Sequence, residues 1–159
     1  MVLYSTGMRL SEISALKITG IDSKNMRIKI VQGKGAKDCY TILSEQVLQE
    51  LRAYYIIYKP KEYLFNGAGP GRPLSARMIQ HLVQKAILQL GPGSKKYTVH
   101  TIRHSFATHL VDRGTDLHTV KELLGHSTLQ TTMRYMHLTT TRIPGIINPY
   151  DVLPPARRQ

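Results

Sequence analysis

Cysteine is almost missing from this sequence, and the single one present, Cys39, excludes an internal disulfide and a zinc site built from cysteines. That scarcity fits a reducing compartment, and Cys39 itself reads as a small strand residue. Long apolar runs are also missing: nothing approaches the roughly 18 to 20 residues that a membrane span needs. The opening MVLYSTGMRLSE has neither the basic start nor the apolar middle of a secretory signal. The chain therefore reads as soluble and cytoplasmic, with no segment that spans a membrane. Acidic residues are scarce, 10 Asp plus Glu against 22 Lys plus Arg, for a formal net charge of +12. Such an excess points to a polyanion, either nucleic acid or an acidic membrane surface, and charge alone does not choose between them. At 159 residues the chain suffices for one domain with a proper core and leaves no room for a second independent one.

What is present is mostly helical periodicity. Leu10, Ile13 and Leu16 recur at helical spacing, so RLSEISALK predicts a short helix opening at Gly7 to Arg9, with Arg9 and Glu12 one turn apart on one face. MRIKIV and CYTIL alternate, and QGKGAKD between them is a glycine-bearing turn, which predicts a β-hairpin with Lys34 near its tip. Ser44 can cap a helix carrying Val47, Leu48, Leu51 and Tyr55 that ends before Pro60, and YLF suggests a third short strand. The loop NGAGPGRP lacks the Lys and Ser/Thr of a phosphate-binding loop. Ser75 caps the next helix, whose stripe of Ile79, Leu82, Val83, Ala86, Ile87 and Leu90 reads as core until GPG stops it. Three further helices follow: one from Thr98 to Gly114, one capped by Thr115 or Asp116 and ending at Gly125, and one from Ser127 through Tyr135. Prolines 144, 149, 154 and 155 punctuate the tail, residues 139–159, which reads as an arm. The fold class is mainly α with a small antiparallel β-sheet (α+β).

Chemistry concentrates in HTIRHSFATHLVDRGTDLHTVKELLGHSTLQTTMRY. At about 100 degrees per residue, the helix after Thr98 groups His100, Arg103 and Ala107, with Ile102, Phe106 and Leu110 roughly opposite as the packing face. His100 and Arg103 lie in the first turns, where exposed backbone N–H groups and the helix dipole attract anions. His126 directly follows Gly125 and so occupies a defined corner. Tyr135 taken alone reads as a packing residue with a hydrogen-bonded hydroxyl. His100 with His104 has the spacing of a zinc pair on a helix, but no accompanying glutamate or cysteine cluster completes a metal site.

Arg9 and Glu12, Lys34, His-x-x-Arg at 100 to 103, and His126 followed nine residues later by Tyr135 form a set with specific spacing and surroundings. On these residues the chain resembles the tyrosine recombinase, or phage integrase, family. TGMRLSEISALK, VQGKGAKDCYTIL, HTIRHSFATHLVDRGTDLHTVKELLGHS and TTMRYMHL occur in the family's order and cover most of residues 3 to 138. The resemblance implies a catalytic domain over residues 1–138, with 139–159 as a C-terminal arm. Only MVLYS precedes TGMR, so the N-terminal DNA-clasping domain usual in the family is expected to be missing, with VLY as the last turn of the helix that leads out of it.

The reaction implied is attack of a tyrosine hydroxyl on a DNA phosphodiester, giving a 3'-phosphotyrosyl link and a free 5'-hydroxyl, then strand exchange and religation, with no metal or other cofactor. Double-stranded DNA, and no membrane, is the implied partner, with self-association into a tetrameric synapse through the arm, which packs either on its own domain or on a neighbour. By the same resemblance Tyr135 is the nucleophile, and Arg9 and Arg103 clamp the phosphate with paired donors. His100 accepts the tyrosine proton, and His126 hydrogen-bonds a nonbridging oxygen. Lys34, with Lys37 as local rival, protonates the leaving oxygen, and Glu12 orients Arg9. The residue types suit these roles: guanidiniums match a phosphate in a fork, and a phenol of pKa about 10 needs a base or positive potential to attack at neutral pH. A non-catalytic DNA-binding relative and a type IB topoisomerase-like relaxing enzyme are the alternatives.

Overall fold

The computed structural model describes residues 1–31, 38–69, 71–126 and 128–133. Two short helices, α1 (Val2–Thr6) and α2 (Leu10–Ser14), lead through a 3-10 turn at Ile18–Gly20 into a sheet of β1 (Ile21–Asp22), β2 (Arg27–Ile30) and β3 (Cys39–Ile42). Then come α3 (Glu45–Tyr58), α4 (Ala76–Leu88), a 3-10 turn at Pro92–Lys96, α5 (Val99–Asp112), α6 (Leu117–Leu124) and α7 (Leu129–Met133). The fold is mainly α with one three-stranded antiparallel sheet in the order β1-β2-β3. Among the described residues no helix is long and apolar enough to cross a membrane.

Alternation decides which face of the sheet is covered. On β2, Ile28 and Ile30 are buried while Arg27 is exposed, and Ile28 stands opposite Thr41 of β3. Thr41 is buried because its hydroxyl donates to the Thr6 carbonyl at 2.8 Å, stitching the sheet to the end of α1. The main core gathers Met8, Ile13, Leu16, Ile28, Ile30, Leu43, Val47, Leu48, Leu51, Leu64 and Ile79. A smaller cluster of Phe106, Ala107, Val120 and Leu124 joins α5 to α6.

Side-chain caps open the longer helices. Ser44 accepts from the Val47 N–H, Ser75 from Met78, Thr98 from Thr101, and Asp116 from Thr119 at 2.9 Å, which decides between Thr115 and Asp116. Lys59, with φ 43, closes α3 ahead of Pro60, and Gly125, with φ 60, closes α6.

Four expectations need correction. The third strand is Ile21–Asp22, because the chain reverses directly after the 3-10 turn; in YLF, Tyr63 forms only an isolated bridge with Lys17, fixed by Leu64 N–H to the Leu16 carbonyl at 2.8 Å. The stripe of α4 is core only in part: Ile79 and Ile87 are buried, whereas Leu82 is 50% and Leu90 79% exposed. Leu82 and Val83 instead border an open apolar groove with Val2, Leu3 and Phe65, and Leu90 lies past the helix end. Tyr55, grouped with the apolar residues Val47, Leu48 and Leu51 of α3, is half exposed, since α3 outruns the core beyond Leu51. On α5 the inner face is Val99, Arg103, Phe106 and Ala107, so Arg103 lies among the packing residues, and Ile102 and Leu110 are only partly covered.

Lys34 and Lys37 of the hairpin, Ser127, Tyr135 and the arm at 139–159 lie outside the described residues, and the last helix is described only as Leu129–Met133.

Candidate active site

Arg9 and Arg103 come together at the C-terminal end of α6. Such a helix end carries carbonyls without helical partners and the negative pole of the helix dipole, a natural seat for guanidiniums. Arg103 Nη2 donates to the Leu124 carbonyl at 2.6 Å, and Arg9 Nη2 donates to the next carbonyl, Gly125, at 3.3 Å. Arg103 Nη1 donates to the Gly7 carbonyl, so the arginine bridges the first and last parts of the described fold. Gly7 is the left-handed cap of α1, with φ 62, and an added Cβ there would stand 2.4 Å from the Phe106 ring. Only glycine lets the chain turn at this point so close to α5.

Glu12 organises the pair. One carboxylate oxygen accepts the Arg9 backbone N–H at 2.6 Å, and the other accepts Arg9 Nη1 at 2.7 Å. The carboxylate therefore both starts α2 and aims the side chain of the residue that precedes it. The same carboxylate lies 4.0 Å from Arg103 Nη1. The two guanidiniums differ in setting: Arg103 is buried at 9% exposure, whereas the Arg9 side chain is 42% exposed. Two positive charges against one carboxylate leave the cluster cationic, and Arg9 presents that charge outward.

His126 completes the corner. Its backbone N–H donates to the Lys121 carbonyl at 3.0 Å, within the Gly125 turn, and its Nδ1 lies 3.0 Å from the hydroxyl of Thr132 on α7. Burial first, and then the positive charges of Arg103 and Arg9, hold its pKa down at about 4, against a small opposing pull from Glu12. The imidazole is therefore neutral at neutral pH.

Of the residues expected from the sequence, Arg9, Glu12, Arg103 and His126 are brought together. His100 stands on the first turn of α5, exposed to solvent, one turn ahead of Arg103. Lys34 and Tyr135 lie outside the described residues, the latter two positions beyond the last described residue, Met133. Sequence reasoning missed Thr132, which is fully buried, and the three carbonyls that hold the arginines. A threonine in LQTTM carries no spacing signal, and a backbone carbonyl has no letter at all. The glycines of TGMR and LGHS were the available hint, since each fixes a turn whose carbonyl faces an arginine. Among the described residues no three His, Cys, Asp or Glu side chains gather as metal ligands.

Glu12 also borders a pocket of about 330 Å³ with Leu16, Lys29, Ile30 and Tyr63. A cavity of about 490 Å³ lies elsewhere, bordered by Tyr4, Ile42, Val47, Phe106 and Arg113, and includes none of the four residues.

The profile of the Phage integrase family matches residues 1–142. A putative integrase/recombinase of Sinorhizobium fredii, y4qK, is 40% identical over 151 residues, covering 95% of this chain and 49% of that protein. The tyrosine recombinase XerC of Lacticaseibacillus casei is 37% identical over 151 residues, covering 89% of this chain and 50% of XerC. The XerH site-specific recombinase, in a post-cleavage complex with a palindromic difH substrate, superposes with a TM-score of 0.74 at 30% identity, over 87% of this chain and 41% of XerH. The chain spans about half the length of the curated relatives it matches. A profile match across nearly the whole described fold, together with the paired arginines and the His126 corner, makes this chain a member of the phage integrase family.

Proposed function

We propose that this chain is the catalytic part of a site-specific DNA recombinase, a DNA breaking and rejoining enzyme that acts through a tyrosine nucleophile. The observation that carries the reading is the convergence of Arg9 and Arg103 on the end of α6, with His126 beside them. A phosphodiester gains negative charge on its nonbridging oxygens as a fifth oxygen approaches phosphorus, and two fixed guanidiniums with a neutral N–H donor stabilise that charge without reorganising.

In this reading the Oη of Tyr135 attacks phosphorus and the O–H proton passes to His100. The P–O5' bond breaks, and Lys34 protonates the departing oxygen. The 3'-phosphotyrosyl bond conserves the energy of the broken linkage, so a 5'-hydroxyl from either strand reverses the step, the protons retracing their paths. Glu12 orients Arg9 and balances part of the charge. Double-stranded DNA is the partner, bound in the cytoplasm, and strand exchange takes place in a tetrameric synapse joined by the arm at 139–159. The names of the relatives favour recombination over a non-catalytic binding module or a topoisomerase-like relaxing enzyme.

The test is incubation with a nicked half-site duplex carrying the natural site of the protein, followed by denaturing electrophoresis. A protein–DNA adduct that disappears in Tyr135→Phe is the expected result. A folded, DNA-bound protein that never forms the adduct on that site would remove the catalytic reading.

A further inference from the structure

We infer that Thr132 is a positioning residue for His126, its hydroxyl donating to Nδ1 so that the ring carries its proton on Nε2, the nitrogen turned away from α7. The inference deepens the proposed function and rests on its assignment of His126 to the scissile phosphate. Thr132 is completely buried, and its Oγ1 lies 3.0 Å from His126 Nδ1. A buried hydroxyl must place its proton on an acceptor or bear the cost of leaving it unmet. Among the described residues, His126 Nδ1 is the one partner to which Thr132 Oγ1 is hydrogen-bonded.

The alternative tautomer, with the proton on Nδ1, would make Thr132 the acceptor and leave its own buried proton without that partner. The donor geometry therefore selects the Nε2–H form, as an orienting partner on one ring nitrogen generally fixes the other. Burial and the neighbouring guanidiniums keep the ring neutral, so it has a single N–H to give and its position matters. A ring with Nδ1–H would turn a lone pair, rather than a donor, toward a phosphate oxygen and repel it.

Thr132 also lies three residues before Tyr135 in the sequence, and α7 packs on α6. The Thr132–His126 bond thus ties the segment that leads to the nucleophile to the corner that receives the phosphate.

Long-range proton–nitrogen NMR on the 15N-histidine-labelled full chain reads the tautomer of each ring directly, and His126→Ala assigns the signal. The expected wild-type pattern is Nε2–H, retained in Thr132→Ser and lost to a mixture or to Nδ1–H in Thr132→Val. A wild-type ring protonated on Nδ1, or a Thr132→Val ring unchanged from wild type, would overturn the inference. If the valine variant fails to fold, Thr132→Ala supplies the same comparison, and a wild-type ring protonated on Nδ1 still overturns the inference.

On DNA, adduct formation by Thr132→Val should slow by roughly ten- to a hundredfold, with duplex affinity unchanged and the serine variant near wild type. In a His126→Ala background the valine substitution should add nothing, and an equal slowing there would show that Thr132 acts through packing instead. Should His126→Ala itself cleave at the wild-type rate, the assignment of His126 to the phosphate falls while the tautomer result stands, so the two failures are told apart.

Discussion

Around the sheet, Met8, Ile28, Leu48 and their neighbours bury one another in a continuous apolar core, whereas α5 and α6 meet over a smaller cluster of Phe106, Ala107, Val120 and Leu124, flanked by Leu110 and Val111. A patch that small supplies little stability of its own, and across the seam, where α1 packs on α5 and α6 on β3, polar ties add to the packing. Arg103 reaches back to the Gly7 carbonyl and forward to Leu124, and Glu12 grips Arg9, which reaches Gly125. The groups assigned to the phosphate are thus also among the contacts that dock the smaller region on the larger. Arg103 serves chiefly as a buried strut with charge to spare, while Arg9 is a partly exposed clamp steadied by a carboxylate.

The largest expected effect separates those two arginines. Arg103→Ala should lower adduct formation by about 10²- to 10³-fold, as loss of a transition-state donor does. It should also cost about 2 to 4 kcal/mol in urea denaturation, because two buried carbonyls lose their donor. Arg9→Ala should cost a similar factor in cleavage but under about 1 kcal/mol in stability, since its ion pair is partly solvated. Equal losses of stability in the two variants would break the distinction between strut and clamp.

Next in size is Gly7→Ala, which puts a Cβ against the Phe106 ring at a left-handed backbone position and should destabilise by about 2 to 4 kcal/mol. Phe106→Leu in the same chain should recover part of that loss, because the overlap is with the ring edge. By contrast, Ile28→Ala, in the larger core, should cost a comparable 2 to 5 kcal/mol, roughly, and leave the cleavage rate of the folded fraction unchanged. A cleavage defect in Ile28→Ala beyond its unfolded fraction would show that the two regions are not separable.

These positions also mark what could be read without coordinates. Caps at Ser44, Ser75 and Thr98 were legible because a side-chain oxygen before an apolar run has one good use. Arg9, Glu12, Arg103 and His126 were legible as a set through the family resemblance, which also implied their convergence, but the setting of Arg103 was not, since it hides on the packing face of α5 where a helical wheel puts an apolar residue. The wheel failed there because a buried guanidinium with carbonyl partners packs as well as a leucine does. The stripe of α4 misled in the opposite sense: periodicity reports that a face is apolar, not that anything covers it, and Leu82 stays half exposed. Thr132 was invisible because its importance lies in one hydrogen bond across two helices.

The smallest effect is on pH, and it sharpens the same contrast. His126 titrates at about 4 in the folded chain against 6.5 as the ordinary value, so between those limits the unfolded chain binds the extra proton. Stability therefore rises with pH across that window; the His126 contribution is complete above about 6.5 and is lost as pH falls toward about 4. Asp22, on the sheet, works lower: bonds from Asn25 and Arg27 hold it at about 2 rather than 3.8, so its contribution is present above 3.8 and is lost only as pH falls toward about 2. Urea midpoints at pH 7 and pH 5 separate the two, because of this pair only His126 takes up a proton on unfolding within that interval. His126→Gln should flatten the slope over that interval, whereas Asp22→Asn should leave it as in the wild type. The change will be modest, since the ring is partly open to water and screened. A wild-type slope that survives His126→Gln intact would mean that the seam does not hold this imidazole neutral, and that the cationic corner is weaker than its geometry implies.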